Sequence, residues 1–125
     1  LNLTDAVRAA DPVRAVRRPH GETIVSHLKL TLSCPSMLGE QIVEALLEDG
    51  RLSGGFTTFP VSGHGRDFTQ ASIREKVRGR VDRTIIMAIV PIGEADLLLN
   101  DLRKKYPTPH LTYWTETVHS YGDFG

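Results

Sequence analysis

The sequence predicts an α+β fold with a four-stranded antiparallel sheet and two helices on one of its faces. Strand-like and helix-like segments follow one another in the order β-α-β, and this order repeats after a long polar stretch. Two such halves that pack together form a ferredoxin-like βαββαβ sandwich. The length of 125 residues suits one domain of this kind.

The first half shows a strand, a helix and a second strand. Leucines alternate with polar residues over 28–33, which is the period of a half-buried strand. Pro35 then favours the first turn of a helix, in which apolar residues recur at helical spacing over 37–47. Gly50 is suited to end that helix. A second strand is predicted over 56–62.

The second half repeats this order. The continuous apolar run 84–90 indicates a strand that is buried on both faces and ends at Pro91. A second amphipathic helix is predicted over 93–106, with acidic residues in its first turn and basic residues in its last, as the helix dipole favours. The last strand, over 111–118, is rich in β-formers.

Composition narrows the domain organisation and the partners. Residues 1–25 combine arginines with helix-breaking prolines, and we expect a disordered or frayed extension before the domain 26–125. The alternative is a short basic helix that docks on a partner. The zero formal net charge gives no reason to expect nucleic-acid binding, and no apolar run is long enough to insert in a membrane. With a single cysteine, Cys34, we expect a cytoplasmic location.

The end of the second predicted strand resembles that of PII signalling proteins. Those proteins carry a glycine, a threonine two residues later, and then Gly-aromatic-Gly-Arg-Gln at the offsets that Gly55, Thr57 and the run 63–67 occupy here. They also have a lysine eight residues before the proline that ends the next strand, where this chain has Arg83 before Pro91.

A closer resemblance is to PII-like proteins whose genes lie beside heavy-metal efflux transporters. They share a Gly-Phe-Thr-Ser-Phe-Pro-Val-type run followed by Gly-His, a Val-x-Gly-Arg segment as at 77–80, and a Tyr-Trp strand as at 113–114. Other PII-like proteins lie beside bicarbonate-transport genes and bind adenine nucleotides, in one group together with bicarbonate. The resemblance covers about residues 27–122 and implies a homotrimer with a partner-binding T-loop at about 63–82.

The resemblance also implies the site. Paired glycines at a strand end let backbone N–H groups approach an anion, and a guanidinium can bind an oxyanion through two donors. The implied ligand-binding residues are Thr57, Gly63, His64, Gly65, Arg66, Arg83 and His110. The implied partner-binding residues of the T-loop are Asp67, Arg74, Lys76, Arg78 and Arg80. The lysine-bearing phosphate loop and the late arginines of PII proteins are missing, so we expect ADP, AMP or cyclic AMP rather than ATP, with bicarbonate as a further effector. A membrane transporter is the expected partner, and no covalent cofactor is expected.

Two other classes of function stay open. A CutA-like trimer would bind a divalent metal, for which His64, His110 and His119 are the candidates, although their spacing is not that of a metal motif. A purely structural oligomer would use Tyr113 and Trp114 for packing alone. Catalysis is not expected, because the sequence contains no nucleophile elbow, P-loop or dinucleotide-binding motif.

Overall fold

The computed structural model describes the backbone of residues 15–17, 23–65 and 80–125, with side chains from residue 26 onward. In chain order its elements are β1 (Ala15–Arg17), β2 (Thr23–Val25), β3 (His27–Pro35), α1 (Ser36–Glu48), β4 (Thr57–Gly63), β5 (Val81–Pro91), α2 (Ile92–Lys105) and β6 (Thr112–Thr117). The predicted βαββαβ order is therefore confirmed for β3 to β6. Each predicted boundary is shifted by one residue or so, except that β5 begins three residues early.

The main sheet has the strand order β4-β5-β3-β6, which places β4 at one edge. β4 and β5 pair antiparallel, with Thr57 opposite Met87 and Gly63 opposite Val81. Paired residues of an antiparallel ladder project to the same face of the sheet. Thr57, Phe59, Val61 and Gly63 therefore share a face with Arg83, whereas Thr58, Pro60 and Ser62 face the other way.

The helices begin and end where local chemistry favours it. Each starts directly after a proline whose backbone is extended, Pro35 before α1 and Pro91 before α2. After α1, Gly50 takes a φ of 65°, and the N–H of Arg51 donates to the Leu46 carbonyl at 3.0 Å. A left-handed glycine followed by this backward bond is a common helix stop. The predicted role of Gly50 is confirmed.

The chain forms two compact units, which we describe separately. The first comprises Thr31–Ala88 and Thr108–Tyr113. Its apolar core is fully or almost fully buried and consists of Leu32, Cys34, Ile42, Leu46, Leu52, Ile86 and Ala88. Met37 and Leu47 also belong to the apolar pattern of α1, but they are 78% and 66% exposed. The sequence pattern thus overstates the buried face of this helix.

The second unit comprises Leu1–Leu30, Ile89–Pro107 and Trp114–Gly125. Its described core is buried and consists of Leu28, Leu30, Val90, Ile92, Ala95, Leu98, Leu99 and Leu102. The Ile92 N–H donates to the Ser26 carbonyl at 3.3 Å, and Lys29 forms an ion pair with Glu116 at 3.4 Å. The ring of His27 lies 4.9 Å from that of Tyr121.

The segment before residue 26 contains one short antiparallel pairing, in which Ala15 lies opposite Val25. The rest of this segment lies outside the described residues, so the frayed extension stays a prediction. Among the described residues, no helix combines the length and apolar character that a membrane crossing requires.

Candidate functional site

The candidate site lies at the end of β4, where the side chain of Arg83 in β5 lies against Gly63. A Cβ built on Gly63 would lie 2.5 Å from Arg83 Cδ and 3.0 Å from Val81 Cγ2. The shorter of these separations is too small for a real side chain. Only glycine therefore leaves room for the Arg83 side chain to lie against the last residue of β4.

The Arg83 guanidinium is held by groups from two other segments. Its Nε and Nη2 donate to Ser33 Oγ, both at 3.2 Å, and Nη2 also donates to the His110 carbonyl at 3.1 Å. The Ser33 carbonyl in turn accepts from Thr112 Oγ1 at 3.4 Å. We call Gly63, Arg83, Ser33 and His110 the Arg83 cluster. It ties β5 to β3 and to the turn before β6.

The cluster places a positive charge beside a buried thiol. Cys34 is fully buried, and its Sγ lies 4.0 Å from the Thr84 carbonyl. Burial raises the pKa of the Cys34 thiol, because desolvation disfavours the thiolate, and the nearby Arg83 charge offsets part of this rise. The thiol therefore stays protonated at neutral pH and is not a nucleophile.

The structure brings some of the predicted ligand residues together. Gly63 and the His110 backbone both contact Arg83. His64 and Gly65 follow Gly63 directly and are exposed. Thr57 begins β4 and lies six residues from Gly63, which is roughly 20 Å along an extended strand. In a single chain, Thr57 is therefore not part of the Arg83 cluster.

The predicted T-loop is only partly described. Arg80 is exposed and precedes β5 directly. The remaining predicted residues, Arg66, Asp67, Arg74, Lys76 and Arg78, lie outside the described residues, so their roles stay predictions.

The histidines proposed for a metal do not form a cluster within one chain. Within residues 26–65 and 80–125, no group of three or more His, Cys, Asp or Glu side chains could hold a metal ion. His64 and His119 are exposed, and the backbone N–H of His110 donates to Thr108 Oγ1 at 3.2 Å.

Ser33 is the site residue that the sequence analysis missed. Its position in the alternation of β3 places it on the polar side of that strand, but this pattern alone cannot show which residue it contacts. Only the register of the assembled sheet brings its hydroxyl to the Arg83 guanidinium.

The ferredoxin-like order and the glycine-arginine strand end define a protein of the PII-like class. More specifically, the chain belongs to the DUF3240 family, a family described as of unknown function, whose profile matches residues 24–125. A search among curated proteins finds no similar sequence.

Solved structures of similar fold include three informative relatives. A DUF3240 family protein from Shewanella baltica superposes with a TM-score of 0.60 at 20% identity, over 79% of this chain and 97% of that chain. A proposed PII-like signalling protein from Thermus thermophilus gives 0.53 at 25% identity, over 75% and 88% of the two chains. CutA from Synechococcus elongatus gives 0.54 at 14% identity, over 83% and 81%.

These similarities confirm the predicted fold and the resemblance to PII-like proteins. The relatives at 14% and 20% identity support the architecture alone.

Proposed function

We propose that this protein is a non-enzymatic PII-like regulator that binds a small anionic effector and acts on a partner protein. The effector would be an adenine nucleotide such as ADP, AMP or cyclic AMP, alone or together with bicarbonate. It would bind in clefts between the subunits of a homotrimer. The T-loop would then engage or release the partner, for which a membrane transporter is our candidate.

The observation that carries this proposal is the contact between Gly63 and Arg83 at the exit of β4. A guanidinium has five N–H donors, so the three bonds to Ser33 and His110 do not exhaust it. His64 and Gly65 follow Gly63 directly and are exposed. The end of β4 therefore combines exposed backbone N–H groups with the positive charge of Arg83. Such a combination suits a phosphate or a bicarbonate ion.

The choice of a weakly charged nucleotide follows from the small number of cations. Arg83 is the one cation of the Arg83 cluster, and Arg66 is predicted to add a second. Two guanidinium groups can balance a nucleotide with one or two phosphates better than a triphosphate. The 25% identity to a proposed PII-like signalling protein supports a regulatory role over a catalytic one.

Calorimetric titration tests the proposal directly. The full chain would be titrated with ATP, ADP, AMP and cyclic AMP, each with and without bicarbonate. We expect AMP, ADP or cyclic AMP to bind more tightly than ATP, and Arg66→Ala to remove that binding without unfolding the protein. Arg103→Ala is the matched control, because this exposed arginine of α2 lies outside the Arg83 cluster and donates to Asn100 Oδ1.

Two results would count against this function. Sizing should give about three times the chain mass of 13.8 kDa, and a monomer would remove the clefts between subunits. Heat from Cu²⁺, Zn²⁺, Co²⁺ or Ni²⁺ alone, with none from nucleotides, would favour the CutA-like metal-binding alternative.

A further inference from the structure

A second concave surface lies on the other side of β4 from the Arg83 cluster. It is an open groove of about 410 Å³ between α1 and the edge of the sheet. One wall of the groove is formed by α1 and the other by β4 and β5, and the lining residues are Gly39, Glu40, Val43, Glu44, Thr58, Phe59, Pro60 and Thr84. By the strand register, Thr58 and Pro60 project away from the face that carries Arg83.

The strand edge beside this groove is poorly suited to adding another strand. β4 is the edge strand, and Pro60 in its middle has no N–H to donate. Proline on an edge strand interrupts backbone pairing with an incoming chain. An occupant of the groove would therefore be held by side-chain contacts rather than by a backbone ladder.

The charge of the groove is one-sided. α1 carries three glutamates and no lysine or arginine, and none of the described residues that line the groove is cationic. Glu40 and Glu44 are exposed, lie one helical turn apart, and form no ion pair with another described residue. Like charges at this spacing slightly destabilise a helix. A cation between them would remove that repulsion.

We propose that this groove docks a positively charged segment of a partner protein, independently of the T-loop. An arginine or lysine of the segment would lay its apolar stem on Val43 and Pro60 and direct its charge to Glu40 and Glu44. The volume suits one or two such side chains. A metal ion is disfavoured, because the described residues offer no cluster of three ligands here.

Peptide binding to the full-length protein tests this surface. The probe is a fluorescein-labelled Ala-Arg-Leu-Arg-Ala amide, and the comparison peptide has Glu in place of each Arg. Fluorescence anisotropy should show binding of the Arg peptide and no binding of the Glu peptide. Salt at 1 M should weaken the binding of the Arg peptide. We expect the double substitution Glu40→Gln/Glu44→Gln to weaken binding about three- to thirty-fold, as the loss of two exposed ion pairs would.

Matched variants separate docking in the groove from general acidity. Glu48→Gln removes the same charge one turn further along α1, outside the groove, and should change affinity less than about twofold. Thr58→Trp should fill the groove and block binding, whereas Ser62→Trp lies on the same strand face beyond the groove and should not.

Three outcomes overturn the proposal. The first is equal affinity of the wild type and the Glu40→Gln/Glu44→Gln variant. The second is an equal loss in Glu48→Gln, which would indicate non-specific attraction. The third is a change of assembly mass in the double variant with no change in peptide binding, which would make a second copy of this chain the occupant. AMP binding should be unchanged in every variant, so this test does not depend on the effector site.

Discussion

Replacing Gly63 with alanine tests whether Arg83 requires a glycine at the end of β4. The added Cβ would lie 2.5 Å from Arg83 Cδ. Because the φ of Gly63 is not in the left-handed region, the conflict is steric and does not come from backbone strain. The conflict can be relieved if the Arg83 side chain moves. Its bonds to Ser33 and His110 would then be lost.

The expected magnitude follows from two opposing effects. A hydrogen bond that involves a charged group contributes about 1.5–3 kcal/mol, and the half-buried position of Arg83 reduces this to roughly 1–2 kcal/mol. The loss of glycine flexibility in the unfolded chain returns about 0.4–1 kcal/mol. Taking the second range from the first, we expect Gly63→Ala to lower the free energy of unfolding by about 0–1.6 kcal/mol.

A double-mutant cycle is the assay. Urea unfolding would be followed by the fluorescence of Trp114 at one fixed protein concentration, since assembly affects apparent stability. In an Arg83→Ala background the steric conflict with Cδ is gone, so Gly63→Ala should become neutral or slightly stabilising. Equal destabilisation in both backgrounds, within about 0.5 kcal/mol, would refute the coupling of these two residues.

Two further predictions concern the interior of the same unit. Cys34 should react with a thiol reagent at pH 8 at least about a hundredfold more slowly in the folded protein than in urea, because its thiol is buried and its pKa is raised. For the same reason, the stability that Cys34 contributes should be present below about pH 8.5 and fall as the pH rises above it, and Cys34→Ala should remove that fall. Gly39→Ala should destabilise the protein by about 1–3 kcal/mol, because its Cβ would lie 2.7 Å from Thr84 Cβ, whereas Gly93→Ala in α2 meets nothing within 4 Å and should be neutral or stabilising. Urea unfolding of the two variants measures this contrast, and similar losses would contradict it.

Local periodicity predicted most of the fold because each element carries a strong signal of its own. Alternating leucines indicate β3, and prolines mark the starts of α1 and α2. The pattern was less informative about which apolar side chains are buried. Met37 and Leu47 fit the apolar period of α1 yet are exposed, because burial depends on where the helix meets the sheet.

The candidate site was predictable only in part. The paired glycines and Arg83 carry a recognisable motif, so their sequence positions could be named. The bond from Arg83 to Ser33 joins residues fifty positions apart, and no local pattern encodes such a contact. The groove on the other face could not be predicted from the sequence. Glu40 and Glu44 have the pattern of ordinary solvent-exposed helix residues, and only the folded structure places the edge strand beside them.

The alternation of β4 places two candidate surfaces on opposite faces of one strand. Gly63 and Val61 project to the face of Arg83, while Thr58 and Pro60 project into the groove beside α1. A ligand that shifts or twists β4 at one face must therefore change the geometry of the other. If the two ligands are coupled in this way, AMP must change the affinity for the cationic peptide by the same factor as the peptide changes the affinity for AMP. If neither affinity responds, β4 holds the two surfaces rigidly, and each acts on its own.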